Sequence, residues 1–542
     1  MDRKELAAVV ILLLLALFLR LYNIDRPLYG DEADWLKSAK ILVEGNSSWT
    51  NTLVSDNPPL GKALFVGAYA LGLHDLRYVA LLFGMAALAV TYLLARKEFG
   101  KRSALISLFL LATAAYAIVG AQHVDRDGGM LAFFTMLTLY AYMRSTGEKL
   151  VKERGLWLGV SLVAFIASVL LRTNMALLVA PVFALEYYRQ EGGRLAKVGN
   201  AVKKLLPFAG AFALSFAFWL LLDNALGLQT MQRTFAHYLT YATGSNQDLQ
   251  ARLLRTAVSV ARVGARLTVP MALALCVAAY ALWKARWELG EKEKELLVVC
   301  GAWILVGVLT VLLVTQGNVP AYFDPFVLPI MLVVGHAISK MKKASIGFAV
   351  LVLVLAFLYL RVLQYADFNE VNLLLMPVAG LAAVALAGMA WIVDRGSGRL
   401  VLALAVMSLF ASAFLLMDFR TYDAMRSQAV ADAAAYFNGM EVQKIAESQE
   451  RTLDLYASGR VVQYDGGRCV KVDGRQCTEE DGVSTFPVGY YVVDFPLRPL
   501  ELPDGIGAMF RFNLFDKSGV EKCELVRTYE LHGVVVSEFY KC

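Results

Sequence analysis

ELAAVVILLLLALFLRLYNIDRPLYGDEAD, running from Glu5 to Asp34, is the stretch on which the fold turns. Its first part, 5–22, is apolar and about as long as the roughly 20 residues a helix needs to cross hydrocarbon. No small-residue cleavage site follows it, only Arg20-Leu21-Tyr22-Asn23, so it reads as a membrane anchor rather than a signal peptide. Directly beyond the run come three carboxylates, Asp31, Glu32 and Asp34. A span that opens into an acidic loop predicts chemistry at a membrane edge.

The rest of the chain extends this pattern. Of 542 residues, 58% are hydrophobic and 18% charged. Soluble proteins average about 45–50% and about 25%, so an ordinary soluble enzyme is excluded, as are disordered and collagen-like chains. Thirteen apolar stretches qualify as spans: 5–22, 76–96, 102–121, 128–143, 155–171, 174–190, 204–223, 266–285, 295–315, 321–339, 344–364, 372–393 and 399–418. With the N-terminus in the cytoplasm, the inner loops include Arg96–Arg102, Arg144–Arg154, Arg189–Lys204, Lys340–Lys343 and Asp394–Arg399, nearly all rich in Lys and Arg. The outer connections are short except 23–75 and 224–265, and long structured loops usually carry function. The surplus of positive charge belongs to these inner loops and gives no reason to invoke nucleic acid.

Residues 424–542 differ from the body. They carry 13 Lys/Arg against 18 Asp/Glu, a net −5, which leaves +11 for the remainder of a chain whose total is +6. They also hold Cys469, Cys477, Cys523 and Cys542, a density that points to disulfides on an oxidising, non-cytoplasmic side, with free thiols as the alternative. Thirteen spans place this segment outside, in agreement with the cysteines. A helical stretch over Asp423–Ile445 and strand-like runs over Thr452–Tyr456, Gly489–Asp494, Met509–Leu514 and Val526–Phe539 predict a small α/β domain. The expected organisation is therefore a polytopic α-helical body, 1–422, and a soluble extracytoplasmic domain, 423–542.

Candidate site residues cluster on the outer side. Asp31 opens a run with Leu36, Ala39 and Val43 at helical spacing, which predicts an amphipathic helix lying on the membrane surface. A carboxylate at that N-terminus is either a helix cap or an ionised general base. Lys62, after the stiff Pro58-Pro59, suits an anionic head group. The short loop 122–129 offers Asp125, Arg126 and Asp127, which are either a hydrated cap on the next span or members of the site. Arg172 interrupts an apolar run at an outer turn, and Arg20, Arg77 and Arg126 are similar cations. His237 and Tyr241 share a helix face in the loop 224–265, and Tyr322 begins another span near the same plane. No Walker, H-E-x-x-H or G-x-S-x-G motif occurs. A lone His237 is a poor start for an all-protein metal site, and the metal requirement stays open.

These residues resemble a family. Arg20-Leu-Tyr…Pro27-Leu-Tyr-Gly-Asp31-Glu32-Ala is similar to the Asp-Glu signature of the GT-C glycosyltransferases, nearest the dolichyl-phosphate-mannose protein mannosyltransferases and the lipid A aminoarabinose transferases. Asp56-Asn57-Pro58-Pro59-Leu60-Gly61-Lys62 resembles the mannosyltransferases' Asp-x-His-Pro-Pro-Leu-Gly-Lys, with Asn57 in place of His. Asp127-Gly-Gly-Met-Leu-Ala-Phe-Phe resembles their second acidic loop, with Asp125 the alternative counterpart, and Tyr322–Pro329 resembles a late Tyr–Pro segment. No Trp-Trp-Asp motif of the oligosaccharyltransferases occurs.

The resemblance implies a GT-C fold of about 13 helices and an inverting transfer from a polyprenyl-phosphate sugar to a hydroxyl of a protein, lipid or glycan. Asp31 would be the base, Glu32 would orient sugar or acceptor, and Asp127 would hold the acceptor or the Asp31 loop. Lys62, Arg172 and Arg77 would meet the donor phosphate. Asp125, Arg126, His237 and Tyr322 would touch sugar or acceptor. No cofactor is firmly implied, and the donor counts as a substrate. A transporter or flippase of anionic lipid-linked substrates is the competing expectation; it requires acids in mid-membrane, whereas these lie at one edge.

Overall fold

The computed structural model describes most of 2–44, then 58–226, 229–243, 289–313, 324–340 and 422–440, with separate stretches between 442 and 542. The spans expected over 266–285, 344–364, 372–393 and 399–418 lie outside the described residues.

The body is a bundle of antiparallel helices. Its elements are α1 (Arg3–Leu21), α2 (Asp31–Val43), α3 (Pro59–Ala70), α4 (Arg77–Glu98), α5 (Lys101–Thr113), α6 (Ala115–Gln122), α7 (Leu131–Gly147), α8 (Val151–Leu171), α9 (Val179–Arg189), α10 (Arg194–Leu226), α11 (Thr230–Thr243), α12 (Glu291–Leu313) and α13 (Asp324–Lys340). Among the described residues α4, α8 and α10 are long and apolar enough to cross a membrane. Leu14, Leu82, Val163 and Leu221 present large apolar side chains outward. Hydrocarbon, not water, tolerates such a surface.

Alternating helix directions give the bundle two chemically distinct ends. At one end the Lys and Arg residues of the short connections are ion-paired: Arg96 with Glu5, Lys101 with Asp2, Arg189 with Glu295, and Lys340 with Glu293. The inner-loop cations of the sequence thus gather together. At the other end lie the C-terminus of α1, the N-terminus of α4 and the junction of α6 with α7.

One expectation for the body is corrected. The single span over 102–121 is two helices, because Ala114 adopts an extended backbone (φ −66°, ψ 114°). The break strips the last carbonyls of α5 of their helical partners. The buried Arg20 guanidinium satisfies them, donating to Leu111 O (3.1 Å), Ala112 O (3.0 Å) and, across the break, Ala117 O (3.3 Å). Arg20, a candidate head-group cation in the sequence, is committed to backbone carbonyls. Helix α2 buries Glu32, Asp34, Lys37 and Ser38 together with Ala39 and leaves Val43 exposed.

Close backbone packing fixes the turn between α6 and α7. A Cβ on Gly129 would come within 2.6 Å of Ala80 O and 2.7 Å of Gly84 N on α4. A Cβ on Gly128 would collide with Gly120 O on α6. The obstacles are backbone, which cannot swing aside. Gly129→Ala is therefore expected to destabilise the body by about 1–3 kcal/mol through overpacking, read as a lower unfolding temperature in detergent, whereas Gly155→Ala, in open space within α8, does not lower it.

The C-terminal segment begins with α14 (Tyr422–Gly439). It continues with β1 (Lys444–Ser448), β2 (Arg460–Asp465), β3 (Arg468–Val472), β4 (Arg475–Gln476), β5 (Tyr491–Asp494), β6 (Arg498–Pro499), β7 (Glu524–Leu531) and β8 (Val534–Lys541). The strand order is β4-β3-β2-β1-β5-β8-β6, with β7 also pairing β8; β1 is parallel to β2 and β5, and the other pairs are antiparallel. Phe437 of α14 packs on Phe539 of β8, and Arg527 pairs with Asp432 at 2.8 Å.

The helix expected to reach Ile445 stops at Gly439, and Ile445 is in a strand buried under α14. The strand expected over 452–456 is a turn where described, at Leu453 and Tyr456. The long run 526–539 is two strands, β7 and β8. Cys523 bonds to Cys542 across the outer ends of these strands. Met509–Leu514 and Cys477 lie outside the described residues.

Candidate active site

The candidate site is built around Glu32, which is fully buried in the first turn of α2. Arg77, at the start of α4, grips it with both arms of the guanidinium: Nε to Oε1 at 3.2 Å and Nη2 to Oε2 at 2.8 Å. The remaining donors hold the chain that leads into α2, with Nη1 on Ile24 O (2.8 Å) and Nη2 on Pro27 O (3.1 Å). Asp75 accepts from the Arg77 backbone N–H at 3.0 Å and so fixes where α4 begins. A bidentate, buried pair of this kind is directional as well as strong.

Glu32 has a second connection. Its Oε1 accepts the Val124 N–H at 3.0 Å and lies 3.3 Å from His123 Nδ1. Gln122 donates to Arg20 O (2.7 Å) and Tyr22 O (2.9 Å), tying the end of α6 to the end of α1. The chain then turns tightly, Asp125 N–H on His123 O at 2.8 Å, and enters the glycine-packed turn Arg126–Met130. One carboxylate thus joins two acidic segments that are about ninety residues apart in sequence, Asp31–Asp34 and Asp125–Asp127.

Cations flank this junction. Lys62 is buried in the first turn of α3. Trp35 of α2 and Phe65 of α3 pack ring to ring, centroids 5.3 Å apart, which holds α3 against α2. The other side of α3 packs on α8, whose C-cap is the buried Arg172, with φ −153° and its N–H on Ser168 O. Such burial of cations at one end of an apolar bundle is costly unless they face anions.

The structure brings Glu32, Arg77 and the Asp125 loop into direct contact and sets Lys62 and Arg172 on the helices beside them. Asp31 starts α2, and Arg126 and Asp127 start the glycine turn; their backbones are placed and their side chains lie outside the described residues. The same holds for His237 in α11. Tyr322, Asp56 and Asn57 lie outside the described residues altogether. Among the described residues no group of three or more His, Cys, Asp or Glu could hold a metal ion. Two residues of the cluster carry no role in the sequence reading. His123 sits beside Asp125 in a quoted loop, so its proximity to acids was a usable signal. Tyr456, whose Oη accepts the Leu28 N–H at 2.6 Å, belongs to the C-terminal segment and had none.

Comparison with known proteins bears on this geometry. The sequence model of the dolichyl-phosphate-mannose-protein mannosyltransferase family matches residues 56–223. The crystal structure of ArnT from Cupriavidus metallidurans bound to undecaprenyl phosphate superposes with a TM-score of 0.67 at 15% identity, covering 100% of this chain and 98% of that one. The fold is that of ArnT. The apo form of the same ArnT gives 0.63 at 16% identity, over 98% of this chain and 97% of that one. A Bacillus subtilis (strain 168) protein named "Putative mannosyltransferase YkcB" is 26% identical over 235 residues, 41% of this chain. The chain spans 32% of that relative's length. The family match overlaps the resemblance at Asp56–Lys62 and Asp127–Phe134 and starts after Asp31-Glu32, and the fold agrees with it.

Proposed function

We propose that this chain is an inverting glycosyltransferase that moves a sugar from a polyprenyl-phosphate donor to a hydroxyl of a protein, lipid or glycan. The observation that carries the reading is the Glu32 junction. A buried ion pair fixes two acidic segments against each other at the bundle end that also holds Lys62 and Arg172. In this reading Asp31 is the base, and Lys62 and Arg172 form the phosphate site beside it.

In the proposed reaction the acceptor oxygen bonds to the anomeric carbon as Asp31 takes its proton. The bond from that carbon to the phosphate oxygen breaks, and its electron pair leaves with the polyprenyl phosphate. Lys62 and Arg172 offset the charge that develops there, the electrostatic contribution that usually dominates such sites. Arg77 is saturated by Glu32 and by loop carbonyls, so its proposed role is to position Glu32 and the Asp31 loop rather than to bind phosphate. Asp127 holds the acceptor or that loop; Asp125, Arg126, His237 and Tyr322 are proposed sugar or acceptor contacts. The site end and the C-terminal segment face the outside of the plasma membrane in this reading, in accord with the Lys/Arg-rich opposite end and the Cys523–Cys542 bond.

The test is direct. Purified protein in liposomes, given radiolabelled polyprenyl-phosphate mannose and aminoarabinose donors with envelope extract, should release free polyprenyl phosphate and label an acceptor. Movement of intact donor across the bilayer without cleavage would support a flippase instead.

A further inference from the structure

The C-terminal segment reaches into this site through one side chain. Tyr456 Oη accepts the backbone N–H of Leu28 at 2.6 Å. Leu28 directly follows the two backbone carbonyls, Ile24 O and Pro27 O, that Arg77 holds. The turn that presents Tyr456 is itself clamped. Tyr456 N–H and Ala457 N–H both reach Leu453 O, and Leu453 is in the core under α14. Asn438, at the end of α14, donates to Tyr456 O (3.0 Å) and accepts from Ser458 N–H (2.7 Å). Burial, foremost, pushes the Tyr456 phenol upward, with the Leu28 amide and Arg77 pulling it down and Glu32 and Asp75 adding to the rise; the phenol stays neutral and remains a good acceptor for an amide.

The contacts form a series from α14 through Asn438, Tyr456, Leu28, the carbonyls of Ile24 and Pro27, Arg77 and Glu32 to Val124. Covalent separation along it is large: Leu28 and Tyr456 are 428 positions apart. A backbone amide of a loop held by a side chain from another unit is a constraint on that loop, not on its own unit.

Resting on the glycosyltransferase reading of the site, we propose that Tyr456 is a positioning residue for it: the C-terminal segment holds Leu28 and, through the neighbouring carbonyls on Arg77, the Arg77–Glu32 pair at the acidic start of α2. The catalytic body and the C-terminal segment then work as one machine, and the segment sets the geometry of the Asp31 loop without touching the reacting atoms.

Tyr456→Phe keeps the ring and removes the acceptor. Two measurements on the full-length protein test it. In amide hydrogen exchange, Leu28 and the peptides covering Ile24–Asp34 should exchange roughly five- to tenfold faster, as the loss of one hydrogen bond implies. Peptides covering β1, β2 and β8 should be unchanged. Asn438→Ala should give a smaller change with the same distribution. Unchanged exchange at Ile24–Asp34 would overturn the proposal, and so would faster exchange spread through the C-terminal strands, since Tyr456 would then support only its own segment. These readouts do not depend on the reaction, so they stand even if no donor is turned over. In the transfer assay kcat should fall roughly tenfold with KM for the lipid donor unchanged, the pattern of a misplaced reacting group. A rise in KM alone would overturn the positioning role.

Discussion

Asp31→Asn removes sugar transfer, by roughly 10²–10⁴-fold in kcat, while the unfolding temperature of the detergent-solubilised protein stays where it was. The magnitude is that of a general base lost from a positioned hydroxyl transfer. Asparagine retains the size of the side chain and remains a good residue at a helix N-terminus, so α2 still starts at the same place. Binding of polyprenyl phosphate, measured separately, should persist, because Lys62 and Arg172 are intact. Full activity in the variant would remove Asp31 from the mechanism.

Arg77→Ala has the largest expected effect on stability, a loss of about 3–5 kcal/mol, because it leaves the Glu32 carboxylate buried without its counter-ion. The same substitution releases Ile24 O and Pro27 O, so the loop loses its anchor at the moment the junction loses its charge balance. Arg77→Lys does not rescue it: a point charge cannot reach two carboxylate oxygens and two carbonyls at once. Glu32→Gln costs less, since the amide oxygen still accepts from Val124 N–H. The Glu32→Gln/Arg77→Met double variant should be less destabilised than the sum of its parts. Strict additivity, read from thermal unfolding, would show that the pair does not act as one unit.

Much of this site was legible from the chain alone, and the parts that were not share a physical cause. Periodic charge in short connections marks which residues gather at each end of a bundle, so Glu32, Lys62, Arg77, Asp125 and Arg172 could be assembled on one side from spacing. Pairing is different. Arg77 and Glu32 were both singled out, but as separate actors, because nothing local in either stretch says that they meet. Arg20 looked like a free cation at a span end; its use depends on the helix break at Ala114, and the sequence there, Ala-Thr-Ala-Ala, contains neither Pro nor Gly to announce one. The spacing of Leu36, Ala39 and Val43 marks α2 as a helix but gives no sign that Glu32, Asp34, Lys37 and Ser38 are buried with Ala39. Tyr456 lies in a turn of a segment with no chemical signature, and its partner is a backbone amide, which has none either. Long-range hydrogen bonds to backbone are where pattern reading runs out.

The measurement closest to the central claim is a structure of the protein in a lipid nanodisc with a polyprenyl phosphate bound. The phosphate is expected between Lys62 and Arg172, at the bundle end that carries the Glu32–Arg77 pair, with Asp31 near enough for one sugar ring to bridge the two. A phosphate seated at the opposite end, beside Arg96 and Lys340, or too far from Asp31 for any sugar to span, would contradict it.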